Sequence, residues 1–364
     1  MSAAGAMPRS AWVFPVLAVL FFAGATVLGI AFTKTPAGLI FAVVLLVILF
    51  GTVFAAVHHA EIIAQRIGEP FGTLLLTLAV TTIEVALIET LLLSGKASPA
   101  LARDTVFAVV MIVCNGLVGV CILIGGLRFR EQEFQVSGAN LYLSVLVVLA
   151  TITLILPNYT VATPGPIYSP AQLAFVSIVT IFLYAVFLYI QTMRHRDYFI
   201  AGAAGDDDHP PISAAALGLS VALLPVSLVA VVLLAKKFSD VVDAGAELIG
   251  APPAFAGVVV ALLILMPEGV AAIAAARRDN LQKSLNLALG SSLATIGLTV
   301  PAVAAVNIWL ARPLVLGLEP RDTVLLMTTI ILSMLTFGTG RTNILFGLVH
   351  TLVFAVFVFL VVAP

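Results

Sequence analysis

Residues 246–273 read AELIGAPPAFAGVVVALLILMPEGVAAI, and residues 60–88 read AEIIAQRIGEPFGTLLLTLAVTTIEVALI. Each opens on Ala-Glu-aliphatic-Ile, passes a turn containing Gly and Pro, and continues as small and aliphatic residues broken by one acid, Glu268 or Glu84. A charged turn follows each acid (ARD, 102–104; RRDN, 277–280). Then comes an apolar segment with small or polar residues at mid-span (VCNGLVG, 113–119; LGSSLATIG, 289–297). Two aliphatic runs match easily by chance. A shared order of turn, acid, charged turn and polar segment does not, and it reads as an internal repeat.

The rest of the chain fits that reading. Of 364 residues, 62% are hydrophobic and 10% charged, and the mean hydropathy is +1.19; soluble domains carry about 25% charged residues. Crossing the hydrocarbon layer takes about 20 apolar residues in a helix. Such stretches recur near 11–33, 38–60, 71–94, 104–127, 139–156, 171–191, 213–235, 251–276, 284–310, 321–338 and 342–362. Strand-length alternation, the mark of a barrel, is missing. The expected fold is an all-α polytopic membrane protein of eleven spans. Its first span is too long for a cleaved leader and reads as a retained helix.

The polar linker RHRDYFIAGAAGDDDHPPIS (194–213) divides the spans. It separates an N-terminal region and first helix (1–36) plus a five-helix repeat (37–193) from a second five-helix repeat (214–364). Five is odd, so successive repeats enter the membrane from opposite sides, as in inverted-repeat transporters. Lys and Arg in the loops number ten on the N-terminal side (Arg9, Arg66, Arg128, Arg130, Arg194, Arg196, Arg277, Arg278, Lys283, Arg341). The other side has seven, which favours a cytoplasmic N-terminus in a bacterial inner membrane. A net charge of −1 gives no electrostatic footprint for nucleic acid. Cys114 and Cys121 read as packing residues.

A charge at mid-span costs about 2.5–3.5 kcal/mol on insertion scales, so an acid kept there needs a use. Glu84 and Glu268 read as a cation and proton site, which the inverted repeat would bring to the membrane midplane. Pro267 removes a backbone donor and leaves carbonyl oxygens around Leu263 and Ile264. Thr81 and Thr82 offer hydroxyls in the first repeat, and Asn115, Ser291 and Ser292 offer neutral oxygens from the following helices. Hard cations take such an all-oxygen set, calcium with six to eight ligands. Desolvation and mutual repulsion let the carboxylates hold protons when no cation is present, the minimum for exchange.

Two further trios, His58/Glu61/Gln65 and Asp240/Asp243/Glu247, share i, i+3, i+7 spacing and so line one helix face each. They read as vestibules or proton relays. Glu89 reads as an interface residue, and DDDH (206–209) as a solvated loop with regulation as the alternative.

These segments resemble the α-repeats of the cation/Ca²⁺ exchanger superfamily. MPEGVAAIAAARRDNLQKSLNLALGSSLATIGLTVPAV (266–303) is similar to the second repeat of ChaA-type calcium/proton antiporters, and the motifs lie near 68–127 and 251–303. The resemblance implies ten core helices plus an extra N-terminal one. It also implies a cation held at Glu84 and Glu268 with help from Asn115, Ser291 and Ser292, no cofactor, and membrane lipid, cations and protons as partners. Relatives commonly place an asparagine three residues before each glutamate, where this chain has Thr81 and Leu265. Calcium, sodium and potassium all remain as cargo. A metal hydrolase at HHAE (58–61) lacks the His-Glu-x-x-His spacing, and a passive channel would be blocked by its own glutamates.

Overall fold

Two glycines set the frame. Gly68 (φ 77°) and Gly250 (φ 64°) sit in the left-handed region just after long helices, and Pro70 and Pro252 follow two residues on. Left-handed glycine followed by proline is how helices end, because only glycine takes that conformation freely and proline cannot extend the helix. The structure, a computed structural model, describes residues 7–93, 98–199 and 212–363.

Among the described residues eleven helices are long and apolar enough to cross a membrane. They are α1 (Arg9–Val27), α2 (Pro36–Ile67), α3 (Phe71–Leu93), α4 (Leu101–Phe129), α5 (Val136–Tyr159), α6 (Pro170–Arg194), α7 (Ala214–Ile249), α8 (Ala254–Ala276), α9 (Leu281–Trp309), α10 (Pro320–Phe337) and α11 (Ile344–Val362). Two pairs of helices match in length. The glutamate helices α3 and α8 have 23 residues each, and the helices after them, α4 and α9, have 29 each. Both 29-residue helices loosen into a π turn at mid-span, Ile112–Leu117 and Thr295–Thr299.

One compact unit comprises α1, α2, α3 and α7. The face Leu45, Leu49, Thr52, Ala56 and Ala60 of α2 is fully buried, and α1, α3 and α7 all pack on that helix. Docking of α1 follows from a proline. Pro15 has no N–H, so the Ala11 carbonyl one turn earlier lacks its helical donor. His59 of α2 takes that place, its Nε2 lying 2.9 Å from Ala11 O and its Nδ1 3.1 Å from Ser220 Oγ of α7. Because a carbonyl can only accept, Nε2 carries the proton, and Ser220 donates to Nδ1. Thr52 Oγ1 adds a bond to Phe14 O at 3.3 Å.

The second unit comprises α4, α5, α6, α8, α9, α10 and α11. Its most buried span is α4. At Gly257 of α8 a Cβ would meet Thr105 N of α4 at 2.8 Å, so glycine permits the close approach. Strands β1 (Glu131–Glu133) and β2 (Arg341–Asn343) pair antiparallel and join the loops after α4 and α10. Burial pushes the Tyr168 hydroxyl, in the α5–α6 loop, up to about 12; it stays protonated and donates to Ile152 O at 2.6 Å.

Several boundaries differ from the sequence reading. Helices α2 and α7 run to Ile67 and Ile249 rather than ending near 60 and 235, because their polar last turns hold no proline and no left-handed glycine before Gly68 and Gly250. The ARD segment is no turn. Arg103 and Asp104 are buried in the first turn of α4, paired at 2.7 Å, with Arg103 also donating to Gly317 O; an acid there suits the positive end of the helix. The linker starts late, since Phe199 is buried against Tyr142 and Phe187. Its acidic DDDH stretch lies outside the described residues.

Candidate cation-exchange site

In the first unit Glu84 is 1% exposed on α3, and Thr81, one turn earlier, is buried on the same face. Thr77 extends the stripe; its hydroxyl donates to Thr73 O at 2.9 Å, a usual way for a threonine to satisfy itself in an apolar helix. The sequence reading passed over Thr77. Thr82 is exposed and bonded to Leu78 O, and Glu89 is buried.

The polar trios are on helix, as expected, with unequal surroundings. Half-buried His58 lines a cavity of about 390 Å³ between α1 and α2, with Pro8, Phe14 and Gly51 among its walls. His58 Nε2 is buried there without a hydrogen-bond partner. Glu61 and Gln65 are exposed farther along α2. On α7, Asp240 and Asp243 are half-buried, whereas exposed Glu247 pairs with Lys34 Nζ at 2.6 Å.

The second unit holds Glu268, Asn115, Ser291 and Ser292. Helix α8, with half-buried Glu268, packs against α4 with its π turn and against α9. Ser284 of α9 ties the two, its hydroxyl donating to Ala272 O at 2.7 Å, one turn beyond Glu268. Pro267 takes the helical donor from Leu263 O, in a stretch where Leu263 and Ile264 are buried. Leu265, at the place of Thr81 in α3, is buried and offers no side-chain oxygen. Ser292 is buried and donates to Leu289 O at 2.9 Å, which leaves its lone pairs as acceptors; Ser291 is half-buried.

Asn115 is fully buried in the π turn of α4 and has partners at both ends of its amide. Thr329 Oγ1 donates to Leu325 O at 2.8 Å, so it accepts from Asn115 Nδ2, also at 2.8 Å. That fixes the amide's direction. Asn115 Oδ1 then accepts from His350 Nδ1 at 3.1 Å, and the other ring nitrogen lies 3.0 Å from Thr336 Oγ1. Asn115 thus stitches α4 to α10 and α11. In α9 Thr295 lies the same fourteen residues from its helix start (101 to 115, 281 to 295) and is buried at the start of that helix's π turn. The sequence reading did not single out Thr295 or His350, whose partners and helix positions are set by contacts remote in sequence.

A profile of the family described as sodium/calcium exchanger protein matches residues 36–193 and 219–363, both repeats. The chain belongs to the sodium/calcium exchanger family. It is a membrane transporter of this family and not an enzyme. The chain is 47% identical over 322 residues to a putative ionic transporter of Sinorhizobium fredii, covering 87% of each chain. To the sodium-potassium/proton antiporter ChaA of Escherichia coli it is 36% identical over 359 residues, covering 96% of this chain and 95% of that one. Its fold resembles that of YfkE, a Ca²⁺/H⁺ antiporter, with a TM-score of 0.73 at 17% identity over 97% of this chain and 100% of that one. The extra helix α1 precedes the matched family region.

Proposed function

We propose that this chain, a cation/proton antiporter of the cation/Ca²⁺ exchanger superfamily, exports calcium in exchange for protons. Glu84 and Glu268 are the groups that take either cargo, by alternating access. The reading is carried by the two 23-residue helices, each with one acid at mid-span: Glu84 lies 13 residues after Phe71 and Glu268 lies 14 after Ala254. Acids so placed are costly unless they hold a cation or a proton in turn. Thr81, Asn115, Ser291 and Ser292 serve as neutral oxygens near these acids, a mixture suited to a hard cation. His58, Glu61, Asp240, Asp243 and Glu247 gather cations or relay protons at the helix ends. The membrane is a bacterial inner membrane, with the N-terminus cytoplasmic.

Sodium or potassium in place of calcium is a second reading. Leu265, which removes a ligand oxygen, and the name of the E. coli relative favour it.

Everted vesicles test the assignment. Adding calcium should dissipate a preformed pH gradient, and Glu84→Gln and Glu268→Gln should each abolish the response at unchanged protein level. A response that survives both substitutions means the cargo binds elsewhere.

A further inference from the structure

We propose that the cleft where α4 and α8 end binds the phosphate headgroup of an anionic glycerophospholipid. The cleft has a volume of about 720 Å³ and belongs wholly to the second unit. Arg128 stands at the end of α4, and Arg277 and Arg278 stand just past the end of α8. All three are exposed. Apart from Asp279 the remaining wall is apolar. Val270, Ile273 and Ala274, from the last two turns of α8, lead from the arginines into the span, and Val270 is 54% exposed.

Charge and the apolar wall together select the ligand. Among the described residues that line the cleft, three arginines stand with one carboxylate, Asp279, whose Oδ1 already accepts from Gln132 Nε2 at 2.9 Å. Guanidiniums grip phosphate oxygens bidentately, and a basic pocket between span ends is the usual seat of acidic lipid headgroups. A water molecule takes about 30 Å³, so the cleft is far larger than an inorganic anion needs. Its apolar wall matches a glycerol backbone and the start of an acyl chain, which a soluble anion lacks.

The turn carrying the arginines is held in advance. Asp279 adopts φ 60°, Gln132 of β1 clamps it, and Asn280 Oδ1 caps α9 by accepting from Lys283 N at 3.0 Å. The same turn ends the Glu268 helix, so a bound lipid would hold that helix end whichever cation is carried.

Native mass spectrometry of the purified full chain, titrated with phosphatidylglycerol or phosphatidylcholine, tests this, with sodium phosphate added in a separate arm. Phosphatidylglycerol should be retained in preference to phosphatidylcholine and should not be displaced by millimolar phosphate. Each arginine neutralised should weaken it about fivefold, the factor for roughly 1 kcal/mol per basic residue at a membrane surface. Arg277→Gln with Arg278→Gln should therefore lose more than Arg128→Gln alone, and Arg277→Lys with Arg278→Lys should hold lipid nearly as wild type. Arg128→Gln, on a different helix, gives an independent reading where the double variant fails to fold. Equal retention of both lipids overturns the proposal, as does wild-type binding by the Gln variants. Full displacement by phosphate makes this a free-anion site and overturns the lipid assignment. A loss of the same size in Arg341→Gln, outside the cleft, marks a general charge effect and does likewise.

Discussion

Asn115 and His350 complete each other's hydrogen bonding inside a fully buried pocket, and this mutual dependence has a measurable consequence. Interhelical side-chain bonds in membrane proteins are worth about 0.6 kcal/mol on average and about 1.7 at most. Asn115→Ala and His350→Ala should each lower the thermal unfolding midpoint in detergent. The double variant should lose about 1 kcal/mol less than the sum, because the second substitution breaks a bond already gone. Strictly additive losses would show that the two residues do not act through one chain. The two acids differ in their neighbours: Glu84 follows a threonine stripe, whereas Glu268 follows buried Leu265 and the proline-broken backbone at Leu263. In the proposed site the stretch before Glu84 supplies side-chain oxygens where the stretch before Glu268 supplies a freed carbonyl.

Helix α1 is held by a proline defect and its repair. His59→Ala should destabilise the protein by about 1 kcal/mol, since Ala11 O loses its donor. Adding Pro15→Ala in that background should recover part of the loss, because the new N–H at residue 15 closes the helical bond to Ala11 O. Thermal unfolding of the four proteins checks this, and an identical effect of Pro15→Ala with and without His59 contradicts it. What sequence could tell about such elements depends on how local the signal is. The eleven spans were legible because long apolar runs and Gly-Pro breaks are visible within a few residues. The reach of α2 and α7, the π turns, and the partners of His59 and His350 were not. They depend on contacts with residues such as Ser220, Ala11 and Thr329 that are remote in sequence.

Across the whole molecule, two helices of 23 residues are each followed by one of 29 that contains a π turn. Local loosening of a helix is common at functional sites because it frees a carbonyl and re-aims side chains. Among the described residues π turns occur at Ile112–Leu117, Thr151–Ile155, Ile190–Arg194 and Thr295–Thr299, and the first and last of these hold Asn115 and Thr295. Proton-coupled cation exchange at Glu84 and Glu268 is the proposal that unites these features. Proton flux from proteoliposomes containing the purified protein, recorded under an imposed pH gradient on adding calcium, tests that claim most directly. The account predicts calcium-dependent proton movement, with calcium moving the opposite way, and loss of both fluxes in Glu84→Gln and Glu268→Gln. Calcium flux that proceeds equally with and without the pH gradient would contradict it.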